Sequence, residues 1–341
     1  MPKSGTRVLR RALALPAVLR ASKGVRGARL APSDRQISCA HPTGYLALEP
    51  GLFSHQQDGE HVHYAQSGRT AFAVGVSGHG EATLSGFLRA QRRQGASRVL
   101  LFPLFNDDLE EAHAAGFQTL CTGQEASLDL RAFSTAGPSM ADLRQMVNRA
   151  VDRYQIQIAE EAAGGLAAEA MALYRRWLAS RAQAQTMTLL VGSPGFETPE
   201  GRRYFTARVH GELVAFVSVV PGYQGRGAGI DVLARDPQAP AGAMESLLVQ
   251  IAARLANEGL ERLSLGCVPL RGVDGADHPL LGRIMKQIHD GRFGNLLFPF
   301  QGLGHFKAKF RPDWRPVSLG AWPRVDVVAL YDGCSLWGLF R

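Results

Sequence analysis

The chain has 341 residues, of which 45% are hydrophobic and 20% are charged, and its net charge is +8 at pH 7. This length and composition predict a globular protein of two domains, and no apolar run reaches the roughly 18 residues that a membrane-spanning helix requires. The four cysteines lie far apart in sequence, which argues against a disulfide scaffold or a paired-cysteine zinc site and favours a reducing cytoplasm.

The excess of positive charge lies in the first 40 residues. This segment carries nine lysines and arginines against a single acid, Asp34, and the rest of the chain sums to zero. Leu9, Leu13 and Ala17 recur at helical spacing. We predict that residues 1–35 form a basic leader. Three interpretations of it remain open: an amphipathic helix on an anionic membrane, an organelle transit peptide, or a disordered tail without a role.

Short runs of alternating apolar and polar residues between 44 and 80 predict antiparallel strands, one of them at Tyr45–Leu48. A helix is predicted from about Glu81, with Gly95 as its natural stop. A buried strand at Arg98–Phe102, a short helix and a further strand complete this half.

Two helices, at 139–153 and 166–182, connect the halves. The second half repeats the order of the first, with a hairpin around His210-Gly211 and a helix over 242–257. The pair Gly95 and Arg98 recurs as Gly259 and Arg262, at an offset of 164 residues, which indicates a duplicated domain.

The segment Gln224–Gly229 is similar to the loop by which acetyltransferases bind the pyrophosphate of acetyl-CoA. That loop must open a helix, but here Ile230–Leu233 follows and has the pattern of a strand. We therefore predict a hairpin turn at this position, and acetyl-CoA binding remains the alternative.

The next segment combines an acid, a base and a helix start. Asp231 and Arg235 lie four residues apart on the predicted strand, which places them on one face. The helix that begins at Gly242 carries Glu245 in its first turn, and its N-terminus offers a seat for a phosphate or an ester carbonyl. A structural ion pair at a domain seam is the alternative.

A third segment mixes basic and aromatic residues. Lys307 and Lys309 are predicted to share a face of a strand, with Phe306, Phe310 and Trp314 as apolar anchors. Such a pattern suits an RNA 3′ end, where bases stack and phosphates pair with cations. A solvated strand edge with extended lysines is the alternative.

Four segments, in order, match one known pattern. They are Ser127–Ala150 with Leu143-Arg144 and Asn148-Arg149, Asp231–Met244 with Arg235-Asp-Pro, Leu265–Leu270, and Phe306–Trp314. Together they resemble the C-terminal synthase domain of lysyl-phosphatidylglycerol synthases. The resemblance implies an α+β fold of two tandem acetyltransferase-like (GNAT) domains, each a mixed, mainly antiparallel sheet flanked by helices. The domains would span residues 36–160 and 161–341, with the active site in the second and without the family's flippase domain.

The resemblance also implies a reaction, in which an amino acid passes from aminoacyl-tRNA to a hydroxyl acceptor, foremost phosphatidylglycerol. The partners would be aminoacyl-tRNA and a lipid at the inner face of the membrane, where a cytoplasmic protein would attach peripherally; no DNA, metal or cofactor is implied. The expected catalytic residues are Asp231 and Arg235. The expected substrate-binding residues are Gly242, Glu245, Lys307, Lys309, Arg144, Asn148, Arg149 and Trp314. Two alternatives are an acetyl-CoA-dependent N-acetyltransferase and a catalytically degenerate relative that binds RNA or a membrane.

The chain departs from the family pattern at one strand. The family's Asp-Leu-Met-Arg-Arg reads Asp231-Val-Leu-Ala234-Arg235 here, so the first arginine is absent. We predict that a β-bulge re-aims Arg235 and that its side chain converges with Asp231 on one cavity near Gly242. The family's Gly-Phe-x-x-Gly stretch corresponds to residues 187–196.

Overall fold

The computed structural model describes residues 30–31, 34–180, 189, 192–197, 200–273, 278–290 and 300–337. The leader predicted over 1–35 therefore lies almost wholly outside the described residues. Within them the predicted α+β class is confirmed, with two repeated units of mixed, mainly antiparallel sheet flanked by helices.

The described strands follow the chain in two groups. The first half contains β1 (Phe53–Gln57), β2 (Glu60–Ser67), β3 (Thr70–Val74), β4 (Arg98–Leu104) and β5 (Gln118–Asp129). The second contains β6 (Gln157–Glu161), β7 (Arg203–Val209), β8 (Glu212–Gly222), β9 (Gly227–Arg235), β10 (Arg262–Pro269) and β11 (Asp313–Trp322). The strand β6 straddles the boundary predicted between residues 160 and 161, and it pairs with β7.

Helices alternate with these strands. They are α1 (Glu81–Arg93), α2 (Leu109–Ala114), α3 (Ala141–Tyr154), α4 (Ala163–Ala179), α5 (Ala243–Asn257), α6 (Pro279–Asp290), α7 (Phe300–Ala308) and α8 (Val327–Trp337). A 3-10 helix over Pro42–Leu48, called the 3-10 segment below, precedes β1. The helices predicted from Glu81 and over 139–153 and 242–257 are confirmed. The one predicted over 166–182 is confirmed as far as Ala179, and residues 181–182 lie outside the described residues.

The strands form one continuous sheet in the order β1-β2-β3-β4-β11-β5-β10-β9-β8-β7-β6. The pairs β3–β4 and β9–β10 are parallel, and the other neighbours are antiparallel. The two halves exchange their last strands, because β11 of the second half pairs with β4 and β5 of the first half pairs with β10. This exchange places the seam between the halves at the centre of the sheet.

Helices cover both faces of each half. Against the strands of the second half, α3 and α5 pack on one face through residues such as Leu143 and Leu247, and α4 packs on the other through Leu173. In the first half, α1 packs on one face through Phe87, and α6 and α8 pack on the other. Burial of the apolar face of each helix against the sheet is the main force that holds the helices and the sheet together.

The 3-10 segment occupies a position where the sequence predicts a strand at Tyr45–Leu48. That prediction is wrong because residues 44–48 are buried on all sides, and a fully apolar run carries no period that separates helix from strand. Arg35 anchors the segment by donating hydrogen bonds to the carbonyl oxygens of Ala47, Glu49 and Leu52. Arg35 thus belongs to the folded body and not to the leader.

Of two further predictions, one is confirmed and the other is wrong. Gln224–Gly229 forms the predicted hairpin connection, since β8 ends at Gly222 and β9 begins at Gly227. Lys307 and Lys309 do not lie on a strand; α7 ends at Ala308, and the strand begins only at Asp313. Pro312 has no backbone N–H and separates the two elements.

Candidate functional site

Strands β9 and β10 run side by side but separate after three residue pairs. The pairing extends from Gly227 and Arg262 to Gly229 and Ser264, whereas β3 and β4 stay in register over five residues. Gly229 leaves room for the Pro42 ring, which lies 2.4 Å from where a Cβ would be. The 3-10 segment therefore covers the place where β9 and β10 part.

A β-bulge in β9 sets the direction of Asp231. Ser218 of β8 pairs with Val232 and the following residue pairs with Ile230, so Asp231 is the extra residue of the bulge. Its carboxylate accepts a hydrogen bond from Arg202 Nε at 3.0 Å, and the two side chains are 7% and 1% exposed. Burial raises the pKa of Asp231 above its ordinary value, while Arg202 and Ser218 oppose the shift.

The prediction that Arg235 shares a cavity with Asp231 is wrong. The bulge at Asp231 breaks the alternation that would have placed both residues on one face. Arg235 ends β9 with an exposed side chain, and the cation beside Asp231 is Arg202. Ala234, at the position of the family's first arginine, is fully buried in the apolar cluster against α4. An arginine there would enter an apolar core, and Arg202 supplies the cation from another element.

Glu49 supplies a second carboxylate, which interacts electrostatically with Asp231 and Arg202. Its Oε1 accepts a hydrogen bond from the Ser193 N–H at 2.7 Å, and its buried Oε2 has no hydrogen-bond partner in the described part of the chain. Burial raises the pKa of Glu49 to about 7; Ser193 and Arg202 lower it, and Asp231 adds to the rise. Asp231, Glu49 and Arg202, called the carboxylate cluster below, thus combine two acids with one guanidinium.

The loop over residues 192–196 closes the carboxylate cluster. A Cβ at Gly192 would lie 2.4 Å from Asp231 Oδ1, and one at Gly195 would lie 2.3 Å from Arg202 Nε. Both glycines have positive φ, and both allow the loop backbone to touch the charged side chains. This loop belongs to the stretch that corresponds to the family's Gly-Phe-x-x-Gly; residues 187, 188, 190 and 191 of that stretch lie outside the described residues.

A second polar cluster lies at the seam of the sheet. Glu125 on β5 accepts hydrogen bonds through Oε1 from Ser264 and Tyr223, and His41 Nε2 lies 2.7 Å from the same oxygen. Arg315 Nη1 lies 3.7 Å from Glu125 Oε2. Burial alone would raise the pKa of Glu125, but His41, Ser264 and Arg315 outweigh it and lower the pKa.

Lys307 reaches the seam from α7. It is buried and donates a hydrogen bond to the Cys267 carbonyl oxygen at 3.0 Å, and Gly266 leaves space for its ammonium group. Burial lowers the pKa of Lys307 to about 8, while Cys267 and Glu125 raise it. A buried lysine of this kind can exchange a proton near neutral pH, which an exposed phosphate-binding lysine does not.

Lys309 and Glu245 form an ion pair, with Nζ 2.7 Å from Oε1. Glu245 is buried in the first turn of α5, so the pair joins α5 to the end of α7. Gly242 caps α5 with a positive φ, and a Cβ there would lie 2.4 Å from the Met146 carbonyl oxygen. The start of α5 is thus packed against α3, and the glycine is required by that contact; its predicted role as a phosphate seat stays a prediction.

The remaining predicted residues lie apart from the carboxylate cluster. Arg144 on α3 donates hydrogen bonds to the carbonyl oxygens of Thr135 and Gly137. Asn148 and Arg149 are exposed on the same helix. The Trp314 ring on β11 is covered by the Arg271 guanidinium at 3.8 Å. Their predicted contact with RNA stays a prediction.

Among the residues of the two clusters that sequence reasoning missed are Arg202, Glu49, Glu125 and His41. Each is an ordinary polar residue without a motif. Glu125 reaches its cluster by the exchange of strands, Glu49 and His41 flank the 3-10 segment, and Arg202 directly precedes β7. A signal was present in the glycines at 192, 195 and 229, whose close contacts mark buried polar neighbours or covering segments.

The described ranges contain neither a metal-binding cluster nor a membrane-spanning helix. Histidine, cysteine and acidic side chains there do not gather into a group of three that could hold a metal ion. Of the helices described, none combines the length and the apolar character needed to cross a bilayer.

Comparisons with known proteins give a consistent result. Residues 38–319 match the family model described as phosphatidylglycerol lysyltransferase, C-terminal. The chain is 27% identical over 241 residues to the phosphatidylglycerol lysyltransferase of Bacillus subtilis, covering 68% of this chain and 27% of that protein. It is 26% identical over 208 residues to the lysylphosphatidylglycerol biosynthesis bifunctional protein LysX of Nocardia farcinica, covering 59% and 18%. The chain thus spans about a quarter or less of these curated relatives.

Solved structures show the same fold. The C-terminal domain of a candidate lysylphosphatidylglycerol synthetase from Agrobacterium fabrum superposes with a TM-score of 0.73 at 24% identity, covering 89% of this chain and 93% of that one. The L-PGS structure from Bacillus licheniformis gives a TM-score of 0.71 at 20% identity, covering 87% and 91%.

Proposed function

Because this chain belongs to the family of the phosphatidylglycerol lysyltransferase C-terminal domain, we propose that it transfers an aminoacyl group from aminoacyl-tRNA to a hydroxyl group of a membrane lipid. Phosphatidylglycerol is the proposed acceptor. An aminoacyl ester is already activated, so the protein has to supply position and charge.

The observation that carries this proposal is the charge balance of the carboxylate cluster. The guanidinium of Arg202 pairs with Asp231 and lowers the pKa of Glu49 from a distance, and Oε2 of Glu49 has no hydrogen-bond partner in the described residues. An aminoacyl group brings an ammonium group that would supply the missing positive charge and the missing donors. An acetyl group brings neither, and the hairpin at Gln224–Gly229 lacks the helix that pyrophosphate binding requires. We assign Asp231 and Glu49 to the amino group of the aminoacyl moiety.

The reaction exchanges one ester for another. The acceptor hydroxyl oxygen attacks the ester carbonyl carbon, and the bond from that carbon to the ribose oxygen breaks. The proton of the acceptor hydroxyl ends on the departing ribose oxygen. Lys307 is the buried group whose pKa, about 8, suits the transfer of that proton. We therefore assign Lys307 to proton transfer and not to the binding of RNA phosphate.

The exposed face of α3 remains the proposed contact for the RNA. Arg149 and Asn148 lie on it, and α3 packs against α5, which carries Glu245. An exposed arginine beside an amide is suited to a phosphate group, and such contacts weaken with added salt.

The test is a transfer assay with radiolabelled aminoacyl-tRNA and phosphatidylglycerol vesicles, with the label counted in the organic phase. Glu49→Gln keeps the shape of the side chain and removes its charge, and we expect it to lower transfer by at least about tenfold. Glu161→Gln is the matched control: Glu161 is partly exposed and bonded to Arg208 on β7, and we expect full activity.

Two outcomes would overturn the proposal. One is the absence of labelled lipid from every aminoacyl-tRNA in a total pool. The other is labelling of an amine by acetyl-CoA together with a rise in melting temperature when acetyl-CoA is added, which would establish the acetyltransferase alternative.

A further inference from the structure

Exposed apolar side chains concentrate on two helices that pack against the sheet of the first half. Among the described residues, five large apolar side chains are strongly exposed, and four of them lie on α6 and α8. They are Leu280 at 69%, Val327 at 57%, Val328 at 51% and Tyr331 at 59%. The fifth, Val151 at 46%, lies alone on α3. Apolar residues scattered singly are normal on a protein surface, but a contiguous group marks an interaction site.

The four residues form one surface. The segment His278–Leu281 at the start of α6 and the segment Val325–Val327 before and at the start of α8 line a common groove of about 290 Å³. Val328 and Tyr331 continue the exposed side of α8 by one helical turn. We call this groove and the exposed side of α8 the apolar surface.

The rim of the apolar surface is basic. Arg283 and Lys286 follow Leu280 on α6 and are exposed. Arg324, just before α8, is 72% exposed and pairs with Asp326 at 3.1 Å. Two acids, Asp326 and Asp332, are only about a quarter exposed, and both form ion pairs with Arg98. The charges that face the solvent around the apolar residues are therefore mainly positive.

The apolar surface is connected to the site through the core. On the inner side of α6, Leu281 and Met285 pack in the same apolar cluster as Cys267. The Cys267 carbonyl oxygen accepts the hydrogen bond of Lys307. A surface formed by α6 therefore lies directly over the layer that holds the seam of the sheet.

We propose that α6 and α8 form a membrane-docking surface. Leu280, Val327, Val328 and Tyr331 enter the boundary between headgroups and acyl chains of an anionic bilayer, and the basic rim contacts lipid phosphates. An apolar centre with a cationic rim matches such a bilayer in both chemistry and charge. This inference rests on the proposed function in one respect, namely that the acceptor lipid resides in a bilayer. The residues of this surface are distinct in sequence from the predicted basic leader over residues 1–35.

The test uses the full chain with three substitutions, Leu280→Ser, Val327→Ser and Tyr331→Ser, and measures its co-sedimentation with phosphatidylglycerol vesicles. At about 1 M salt the screening length falls to about 3 Å, which suppresses attraction through the basic leader and leaves the apolar contribution. We expect the triple variant to bind at least about tenfold more weakly than the wild type, with an unchanged melting temperature because all three side chains are exposed. Val151→Ser, on α3, is the matched control and should bind as the wild type does.

A second measurement separates docking from transfer. Transfer to phosphatidylglycerol in vesicles should fall in the triple variant, whereas transfer to a short-chain phosphatidylglycerol dissolved as monomers should not. If the wild-type protein transfers to neither acceptor while the triple variant still binds vesicles more weakly, the proposed function is refuted and the docking surface is not. Wild-type vesicle binding by the triple variant would overturn the docking surface. So would a loss of self-association or of binding to a protein partner without any loss of vesicle binding.

Discussion

The hydrogen-bonding and charged partners of each buried acid decide whether its pKa rises or falls. Glu125 is surrounded by His41, Ser264 and Arg315, and these interactions outweigh burial and lower its pKa. Glu49 is equally buried, but Ser193 and Arg202 do not outweigh its burial, and its pKa rises to about 7. Oε2 of each acid lacks a hydrogen-bond partner in the described residues, but that of Glu125 lies 3.7 Å from Arg315 Nη1. An acid whose partners outweigh its burial holds a structure together, whereas one whose burial dominates is poised to bind a cation.

Glu49 should therefore make stability depend on pH. Its pKa is raised from 4.5 to about 7, so the protonated form stabilises the fold. This stability is fully present below about pH 4.5 and is lost as the pH rises through 7. The shift corresponds to about 3 kcal/mol. We expect Glu49→Gln to remove most of this loss when urea unfolding is measured at pH 4.5 and at pH 8. Equal pH dependence in the variant and the wild type would show that Glu49 is ionised throughout or is not buried in solution.

Lys307 should be essential as a group that exchanges a proton. Burial lowers its pKa to about 8, and an arginine at this position would stay protonated. We expect Lys307→Arg to reduce single-turnover transfer by about 100-fold or more while tRNA binding on filters stays unchanged. Lys309→Arg, at the partly exposed ion pair with Glu245, is the control and should retain transfer. If Lys307→Arg keeps the wild-type rate and pH profile, a fixed positive charge is sufficient there.

At the scale of elements, the periodic spacing of apolar residues predicts most helices and strands but not the segments that cover the candidate site. The helix from Glu81 and the helix over 242–257 have one apolar face each, and both are confirmed. The 3-10 segment is buried on all sides, so its sequence carries no usable period. The bulge at Asp231 arises from pairing with β8, which involves residues distant in sequence. The sequence therefore identifies Asp231 as a candidate site residue but not its partner Arg202.

The two glycines at the ends of α5 should differ in their tolerance of a side chain. Gly242 and Gly259 have nearly equal positive φ values, 90° and 86°. A Cβ at Gly242 would meet the Met146 carbonyl oxygen, and one at Gly259 would meet nothing within 4 Å. We expect Gly259→Ala to cost about 1–2 kcal/mol for the backbone conformation alone. Gly242→Ala should cost about 1–3 kcal/mol more for the displaced α3.

Urea denaturation of the two alanine variants measures this difference directly. Because the backbone term is shared, the excess at Gly242 reports the contact between α3 and α5. Equal destabilisation of both variants would mean that α3 moves freely away from the start of α5 and that the helix start is open to a ligand.

At the scale of the whole molecule, the two halves are joined by strand pairing and helix packing as well as by the chain that links them. The strand β5 of the first half lies between β10 and β11 of the second, and β4 pairs with β11. In the same way, α3 of the first half packs in one apolar cluster with α5 of the second. The sequence indicates the duplication through the repeated Gly-x-x-Arg offset, but the exchange of strands depends on long-range pairing that no local pattern reports. The polar cluster around Glu125 lies at this seam, so its geometry requires both halves.

The exchange predicts that neither half folds alone. A fragment of residues 1–155 would leave β5 without either of its neighbours and would expose the side of α3 that packs against α5. Unpaired strand edges and exposed apolar surface together cost more than a domain of this size can lose. We expect the fragment to show no cooperative urea transition, whereas the full chain unfolds in a single transition by both circular dichroism and tryptophan fluorescence. Co-expression of residues 1–155 with 156–341 should restore a folded complex that purifies together, because the missing strands are then supplied in trans. A monomeric, cooperatively folded 1–155 fragment would show that β4 and β5 can pair with each other, and that the joined sheet is not required for the fold of the first half.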